Sequence, residues 1–337
     1  MKTRCFLLYL SLHLLVCCPI MGQVRNVMTV KGLISASEMG VTLTHEHILV
    51  DFIGAAHFDT SRYIKSEVIE KALPFLIKIK EQGVKTFIEC TPEFLGRDPI
   101  ILKQLSQETG LHILTNTGFY GANNNKFIPA EMLSKSAKEL SRIWIHEFKN
   151  GIHNTTVKPG FIKIGVDGDS LSEFHTRLIK AAALTHLETG LVIASHTGPY
   201  IPAFQQIEIL EKANVSPQAF IWVHAHNEKN LSALTEAAEK GAWISLDDLN
   251  ENNVERIIDI IKHLKKAGHL SNVLLSHDAG WFDPAKPNGG EFRGFNVLMD
   301  KLIPALIKND FSKEEIELLL IKSPANAFEI KVRKIEP

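Results

Sequence analysis

The sequence predicts an α/β protein whose chain closes into a (β/α)8 TIM barrel. Three observations carry that expectation. Short apolar β-rich runs alternate with longer amphipathic segments, glycine follows several of those segments, and nearly every candidate strand ends in a residue able to bind a metal, a proton or a substrate. Repeated strand–helix alternation implies a parallel sheet. Closure into a barrel brings all strand ends to one mouth, whereas a doubly wound open sheet would string them along an edge.

The opening residues stand apart from this pattern. Residues 1–4 are short and basic, residues 5–16 are almost wholly apolar, and small residues come near Gly22. That is the pattern of an export signal, and the run is shorter than the roughly 20 residues a spanning helix needs. The expected organisation is a signal peptide over 1–22 and a single barrel domain over 23–337, exported to the periplasm or beyond. Leu14-Leu15-Val16 ahead of Cys17 makes a poor lipobox, so simple export ranks above lipoprotein anchoring.

Cys5, Cys17 and Cys18 leave with the signal, and Cys90 then has no intramolecular partner. Stability in an oxidising compartment must therefore come from the core rather than from a disulfide. A chain that is 45% hydrophobic, with about 315 residues after cleavage, is enough for one large barrel core. Removing Lys2 and Arg4 takes the formal charge from −1 to −3, and no basic block follows. Nucleic acid and anionic membrane surfaces are excluded as partners on that ground. A small-molecule substrate is the expected partner, and a homodimer stays open.

The strands are expected at 41–44, 86–90, 113–117, 161–165, 192–195, 221–223, 243–246 and 273–276. Each is short, apolar and bounded by turn residues, as buried parallel strands are. Amphipathic segments at 66–82, 129–149, 174–188, 201–213, 231–239 and 253–267 read as helices, with Gly83, Gly110, Gly190, Gly241 and Gly268 placed where a C-cap wants a left-handed residue. Residues 24–37 form a short N-terminal hairpin that plugs the opposite end of the barrel, and 311–328 form a closing C-terminal helix.

Chemistry concentrates at the strand ends. In Thr44-His45-Glu46-His47, the two histidines are two residues apart and share a face of the strand. Two neutral imidazoles on one face suit a divalent metal. His196 closes the fifth strand, His224 the sixth and Asp278 the eighth. A buried aspartate beside histidines calls for a compensating cation or donor. Lys163 lies inside the apolar run Phe161-Ile162-Lys163-Ile164-Gly165. Burial disfavours its ammonium, and a neutral amine can capture carbon dioxide to become a carbamate, a carboxylate on a long stem.

The set Thr-His-Glu-His, Phe-Ile-Lys, Ser-His-Thr, Val-His and Ser-His-Asp, in this order, resembles the phosphotriesterase family of the amidohydrolase superfamily from about Met28 to Phe328. Gly96-Arg97-Asp98 and Asn116-Thr117-Gly118 also match that family's pattern. The resemblance implies two divalent ions, with zinc first and manganese, cobalt and iron also suited. His45, His47 and Asp278 would hold the buried ion, His196 and His224 the exposed one, and carboxylated Lys163 with a hydroxide would bridge them. In Val223-His224-Ala225-His226, His224 is preferred because it stands seven residues before Leu231, as the family's ligand stands before its helix-opening leucine.

The implied activity is hydrolysis of an ester, lactone or phosphotriester by the bridging hydroxide, with Asp278 accepting the proton and His226 or His277 as a relay. An ester or lactone leads, with organophosphates second. Tyr120 matches a tyrosine of the lactonase-like branch, and Trp281 is a further substrate-wall candidate with Phe282, Phe119 and Trp222. That branch carries an arginine after its strand-seven Gly-Leu-Asp, where this chain has Leu246-Asp247-Asp248. Two other readings stand beside this one. A cyclic amidase of the dihydroorotase type would want an arginine soon after His-x-His, where Ile48 and Leu49 follow His47. The third is a secreted metal- or ligand-binding protein without turnover.

Overall fold

The computed structural model describes residues 25–336, so the expected signal peptide at 1–22 lies outside the described residues. The chain enters through an antiparallel hairpin of β1 (Asn26–Thr29) and β2 (Gly32–Ser35), with Val27 opposite Ile34. The barrel strands follow: β3 (Val41–Glu46), β4 (Val84–Glu89), β5 (His112–Leu114), β6 (Asn116–Thr117) and β7 (Phe161–Gly165). They continue with β8 (Ile193–His196), β9 (Phe220–Val223), β10 (Trp243–Leu246) and β11 (Val273–Leu275). Every neighbouring pair in the run β3-β4-β5 and in the run from β6 to β11 is parallel.

The expected third strand at 113–117 is one strand interrupted at Thr115. Its first half pairs with β4 and its second half with β7, and the Thr115 carbonyl accepts the Gly160 N–H at 2.7 Å where the partner changes. The last and first strands close the barrel through scattered bonds rather than a full ladder. Thr44 Oγ1 donates to Leu275 O at 3.1 Å, Asp278 N to His45 O at 3.1 Å, and His47 N to Ala279 O at 2.9 Å. A parallel bridge pairs Leu49 with Phe282 just beyond.

Helices cover the outside at Lys65–Glu81, Pro99–Thr109, Ala137–Asn150, Glu173–Thr189, Tyr200–Lys212, Leu231–Glu239 and Val254–Lys266. Lys65–Glu81 shows the reason: it buries Val68, Ile69, Ala72, Leu76 and Ile79, a stripe at helical spacing. Gly110 and Gly190 end their helices in the left-handed conformation expected of them.

Two expected helices are corrected. The segment 129–149 is two helices, Ala130–Leu133 and Ala137–Asn150, because Ser136 and Glu139 form a capping box that starts a new helix. The segment 311–328 is not one regular α-helix. It runs α over Lys313–Glu317, widens to π over Leu318–Lys322, and returns to α over Ser323–Phe328. Pro324 supplies the cause, since it has no N–H for the i−4 carbonyl and its ring crowds that carbonyl. Pro304 follows a second π segment, Leu298–Leu302, in the same way.

The barrel interior is filled by inward side chains of the strands, among them Ile88, Leu114, Phe161, Ala194, Ile221 and Leu274. Val27 and Met39 from the entry segment and Phe328 from the last helix join this cluster, so the hairpin does close the end opposite the strand C-termini. That leaves one open end for chemistry. Among the described residues, no helix is long and apolar enough to cross a membrane.

Candidate metal centre

The C-terminal ends of the strands surround a cavity of about 200 Å3 whose wall includes His45, His47, Lys163, His196, His224 and Asp278, with Tyr120 and Trp281 above them. All eight site residues expected from the sequence therefore meet in one place. A wider groove of about 1170 Å3 lies at the other end, beside Arg25, Gln218, Trp243 and Arg333. Among the described residues it holds no His, Cys, Asp or Glu group that could share an ion, so the smaller cavity is the candidate site.

Strand parity places the first pair. His45 and His47 approach to 3.3 Å between Nε2 atoms, and His47 Nε2 lies 2.9 Å from Asp278 Oδ1. Ligand atoms of His45, His224 and Asp278 all fall within 4.8 Å of one another. His196 and His224 meet edge-on with ring centroids 4.4 Å apart. Lys163 projects from β7 into the same space and is only 2% exposed. Among the described residues, no carboxylate pairs with its ammonium and no acceptor takes its hydrogen bond. A buried, unpartnered ammonium facing four imidazoles and a carboxylate is costly by itself. The donor set suits divalent cations, with imidazole nitrogens and a carboxylate for ligands, so the residues fit the group that the sequence implies.

The electrostatics point the same way. Burial, reinforced by the Lys163 charge, lowers His45 from its ordinary value to about 4. Burial and the neighbouring His224 push His196 well below the usual histidine range. Both are therefore neutral at pH 7 and keep a lone pair for a ligand. Burial disfavours the Asp278 carboxylate, yet the hydrogen bond from His47, with the imidazoles around it, outweighs that and holds Asp278 below the carboxylate range.

One residue at the centre was not recognised from the sequence in this role. Asp247, fully buried at the end of β10, accepts from His224 Nδ1 at 2.7 Å, the His224 backbone N–H at 3.1 Å and Ser245 Oγ at 2.6 Å. His45 Nδ1 lies 3.2 Å and His226 Nδ1 3.3 Å from the same carboxylate. A carboxylate can only accept, so it fixes His224 with its proton on Nδ1 and turns Nε2 toward the cavity. His47 is oriented likewise: its Nδ1 lies 2.8 Å from Thr91 Oγ1, which donates to the buried Glu89. The signal available in the sequence was Asp247 itself, an acid at a strand end like the ligands.

The structure separates the candidate relays and walls. His224 reaches the cavity, while His226 sits behind it against Asp247. His277 is committed elsewhere, with Nδ1 donating to Glu46 at 2.6 Å and Nε2 accepting from Leu298 N at 3.0 Å; its expected relay role is corrected on that ground. Trp222 is buried and donates from Nε1 to Gly198 O at 2.9 Å, Phe119 packs edge-on against Trp144, and Phe282 is core. Those three are not cavity walls. Tyr120 stands edge-on to His196 at 5.0 Å and does form the wall, with Phe52 and Phe127 nearby. Arg97 and Asp98 have structural tasks, Arg97 pairing with Glu147 at 2.6 Å and Asp98 capping the helix at Pro99.

Two of the converging residues, His224 at φ 61° and Asp278 at φ 50°, adopt the left-handed backbone region. Such strain costs about 1–3 kcal/mol per residue and persists where surrounding structure imposes it, often at functional sites.

A sequence model described as the Phosphotriesterase family matches residues 25–328. The chain belongs to that family. Similar proteins include the phosphotriesterase homology protein of Escherichia coli, 28% identical over 86% of this chain and 98% of its own length. The aryldialkylphosphatase of Saccharolobus solfataricus is 26% identical over 88% of this chain and 98% of its own. The N-acetyltaurine hydrolase of Mus musculus is 25% identical over 89% and 96%. Hydrolysis is common to the named activities, and this phosphotriesterase-family protein is a hydrolase with a barrel fold and a histidine–aspartate group able to hold a metal.

Proposed function

We propose that this phosphotriesterase-family chain is a binuclear-metal hydrolase of small esters or lactones, with phosphotriesters as secondary substrates. The observation that carries the reading is the convergence of four histidines, Asp278 and an unpartnered buried Lys163 on one cavity. His45, His47 and Asp278 would hold one ion, His196 and His224 the other, and Lys163 as a carbamate would join them. Carbamate formation adds the neutral Lys163 amine to carbon dioxide and releases a proton. When bound, the ions, zinc first among them, supply water acidified toward neutral pH and a Lewis acid for the substrate oxygen.

The chain's own groups supply the rest. Asp278, held ionised beside His47, accepts the nucleophile's proton and passes it outward. Asp247 keeps His45 and His224 turned toward the reacting atoms. Phe52, Tyr120, Phe127 and Trp281 exclude water and receive an apolar substituent. Apart from Lys163, no side chain on the cavity wall carries a permanent positive charge among the described residues. That supports a neutral ester ahead of the anionic amide named for one group of relatives, and amide hydrolysis is the second reading.

Elemental analysis of protein purified without chelator should give about two ions per chain, since one tetrahedral site takes about four ligands and six converge here. Turnover is then compared on esters, lactones, phosphotriesters and N-acyl amides. A stoichiometry near one rejects the binuclear centre. Full metal without turnover on any of these points to a metal- or ligand-binding protein.

A further inference from the structure

The turn that carries Asp278 into the cavity is held by a residue from outside the metal group. Asp278, Gly280 and Trp281 take φ values of 50°, 98° and 75° within four residues. The turn is pressed against the first strand's extension, and a Cβ at position 280 would fall 1.9 Å from the His47 carbonyl oxygen. Backbone in this region does not hold itself, because for residues other than glycine it is locally unfavourable.

Arg293 meets the turn at three points. Its guanidinium donates to the Asp278 carbonyl, its backbone N–H donates to Gly280 O at 3.0 Å, and its guanidinium carbon lies 4.8 Å from the Trp281 ring centroid. The Trp281 indole N–H is buried and has no acceptor among the described residues, so no hydrogen bond of its own fixes the tilt of the ring. Phe52 at 5.7 Å and His47 at 6.1 Å meet the ring edge-on, and the ring packs against the apolar cluster of Val50, Leu95 and Phe127. Arg293 is itself exposed, and among the described residues no carboxylate pairs with it. A planar guanidinium can donate at its edge and stack by its face together, which an ammonium cannot.

We propose that Arg293 is a positioning residue that locks the left-handed turn, so that one side chain sets both the direction of Asp278 and the tilt of the cavity wall at Trp281. The kinetic consequence rests on the hydrolase reading above, whereas the conformational one does not. The test uses the metal-loaded full-length mature protein labelled with 5-fluorotryptophan, the Trp281 signal being assigned with Trp281→Phe. In Arg293→Met the Trp281 fluorine resonance should shift and broaden while metal content stays unchanged. Turnover on the best ester should fall about tenfold with a raised KM, the scale expected when a supporting contact of a site is lost.

Arg293→Lys should restore part of this, because it can serve the carbonyl or the ring but not both. An unmoved Trp281 resonance overturns the proposal, and so does an unchanged kcat in an active enzyme. If the unsubstituted protein turns over no substrate, the hydrolase reading fails and the fluorine spectrum alone decides the clamp. Should Arg293→Met fail to fold, Arg293→Lys carries the same comparison.

Discussion

Replacing Asp247 with asparagine exchanges one carboxylate oxygen for an NH2 and should disturb the whole centre. The carboxylate accepts from His224 Nδ1, the His224 backbone N–H and Ser245 Oγ, and the Nδ1 atoms of His45 and His226 lie 3.2 and 3.3 Å from it. Whichever way the new side-chain amide turned, its NH2 would point at one of those donors. If it faced His224 Nδ1, 2.7 Å away in the native contact, the imidazole would have to move its proton to Nε2. The lone pair turned toward the cavity would then be lost. Supporting contacts of this kind are worth about 10–100-fold in metal affinity, or roughly 1.4–2.8 kcal/mol at 1.4 kcal/mol per tenfold.

Ser245→Ala is the control. It removes one hydrogen bond to the same carboxylate, worth about 1 kcal/mol of stability, and leaves the histidine tautomers alone. Zinc affinity measured by competition with a graded chelator, beside the melting temperature of the metal-free protein, separates the two. Asp247→Asn should lose metal at lower chelator concentration, while Ser245→Ala should lose stability and retain the metal. Equal zinc affinity in Asp247→Asn and the native protein would refute the tautomer argument.

Lys163→Ala should abolish most activity and recover part of it with short carboxylic acids in the buffer; a metal-loaded crystal showing an unmodified Lys163 ammonium overturns the carbamate. Asp278→Asn should lower turnover on the best ester by about 10²–10⁴-fold, the range of general-base catalysis, at near-full metal content. His45→Ala should instead lose metal, and near-native turnover in Asp278→Asn would leave Asp278 as a ligand only. A separate pH effect belongs to His186, whose Nδ1 donates to Leu191 O at 2.8 Å and whose Nε2 accepts from Arg333 N at 2.9 Å. Burial lowers its folded-state pKa, so its contribution is present above the unfolded value of about 6.5 and is lost as pH falls through the lower folded value. The Arg333 amide should show a smaller protection factor, relative to its intrinsic exchange rate at the same pH, below pH 6 than at pH 8, and a His186→Gln variant should show less pH dependence in its melting temperature.

Local sequence determined the parts of this molecule that depend on periodicity. Alternation of short apolar runs with amphipathic stretches marked the barrel, because a buried parallel strand and a surface helix each leave their own pattern of side chains. The two-residue spacing of His45 and His47 placed both on one face, since alternate residues of a strand face alike. Lys163 stood out because an ammonium has no business in an apolar strand without a compensating partner. Tertiary structure decided what depends on partners distant in the chain. Asp278 N bonds to His45 O across the barrel seam, and nothing near either residue announces the other.

The choice between His224 and His226 rested in sequence on a resemblance. In the fold it rests on the left-handed backbone of His224, which turns one imidazole into the cavity and leaves the other behind Asp247. In sequence Asp247 stood only beside Asp248, where the lactonase-like branch has its arginine, yet the barrel makes it the acceptor of His224 and the close neighbour of His45. Trp222 and Phe119 had the right chemistry for a wall, and packing turned them into core. The physical reason is the same in each case. Periodicity records which face of an element is buried, but hydrogen-bond partners and cavity walls are set only when elements remote in sequence meet.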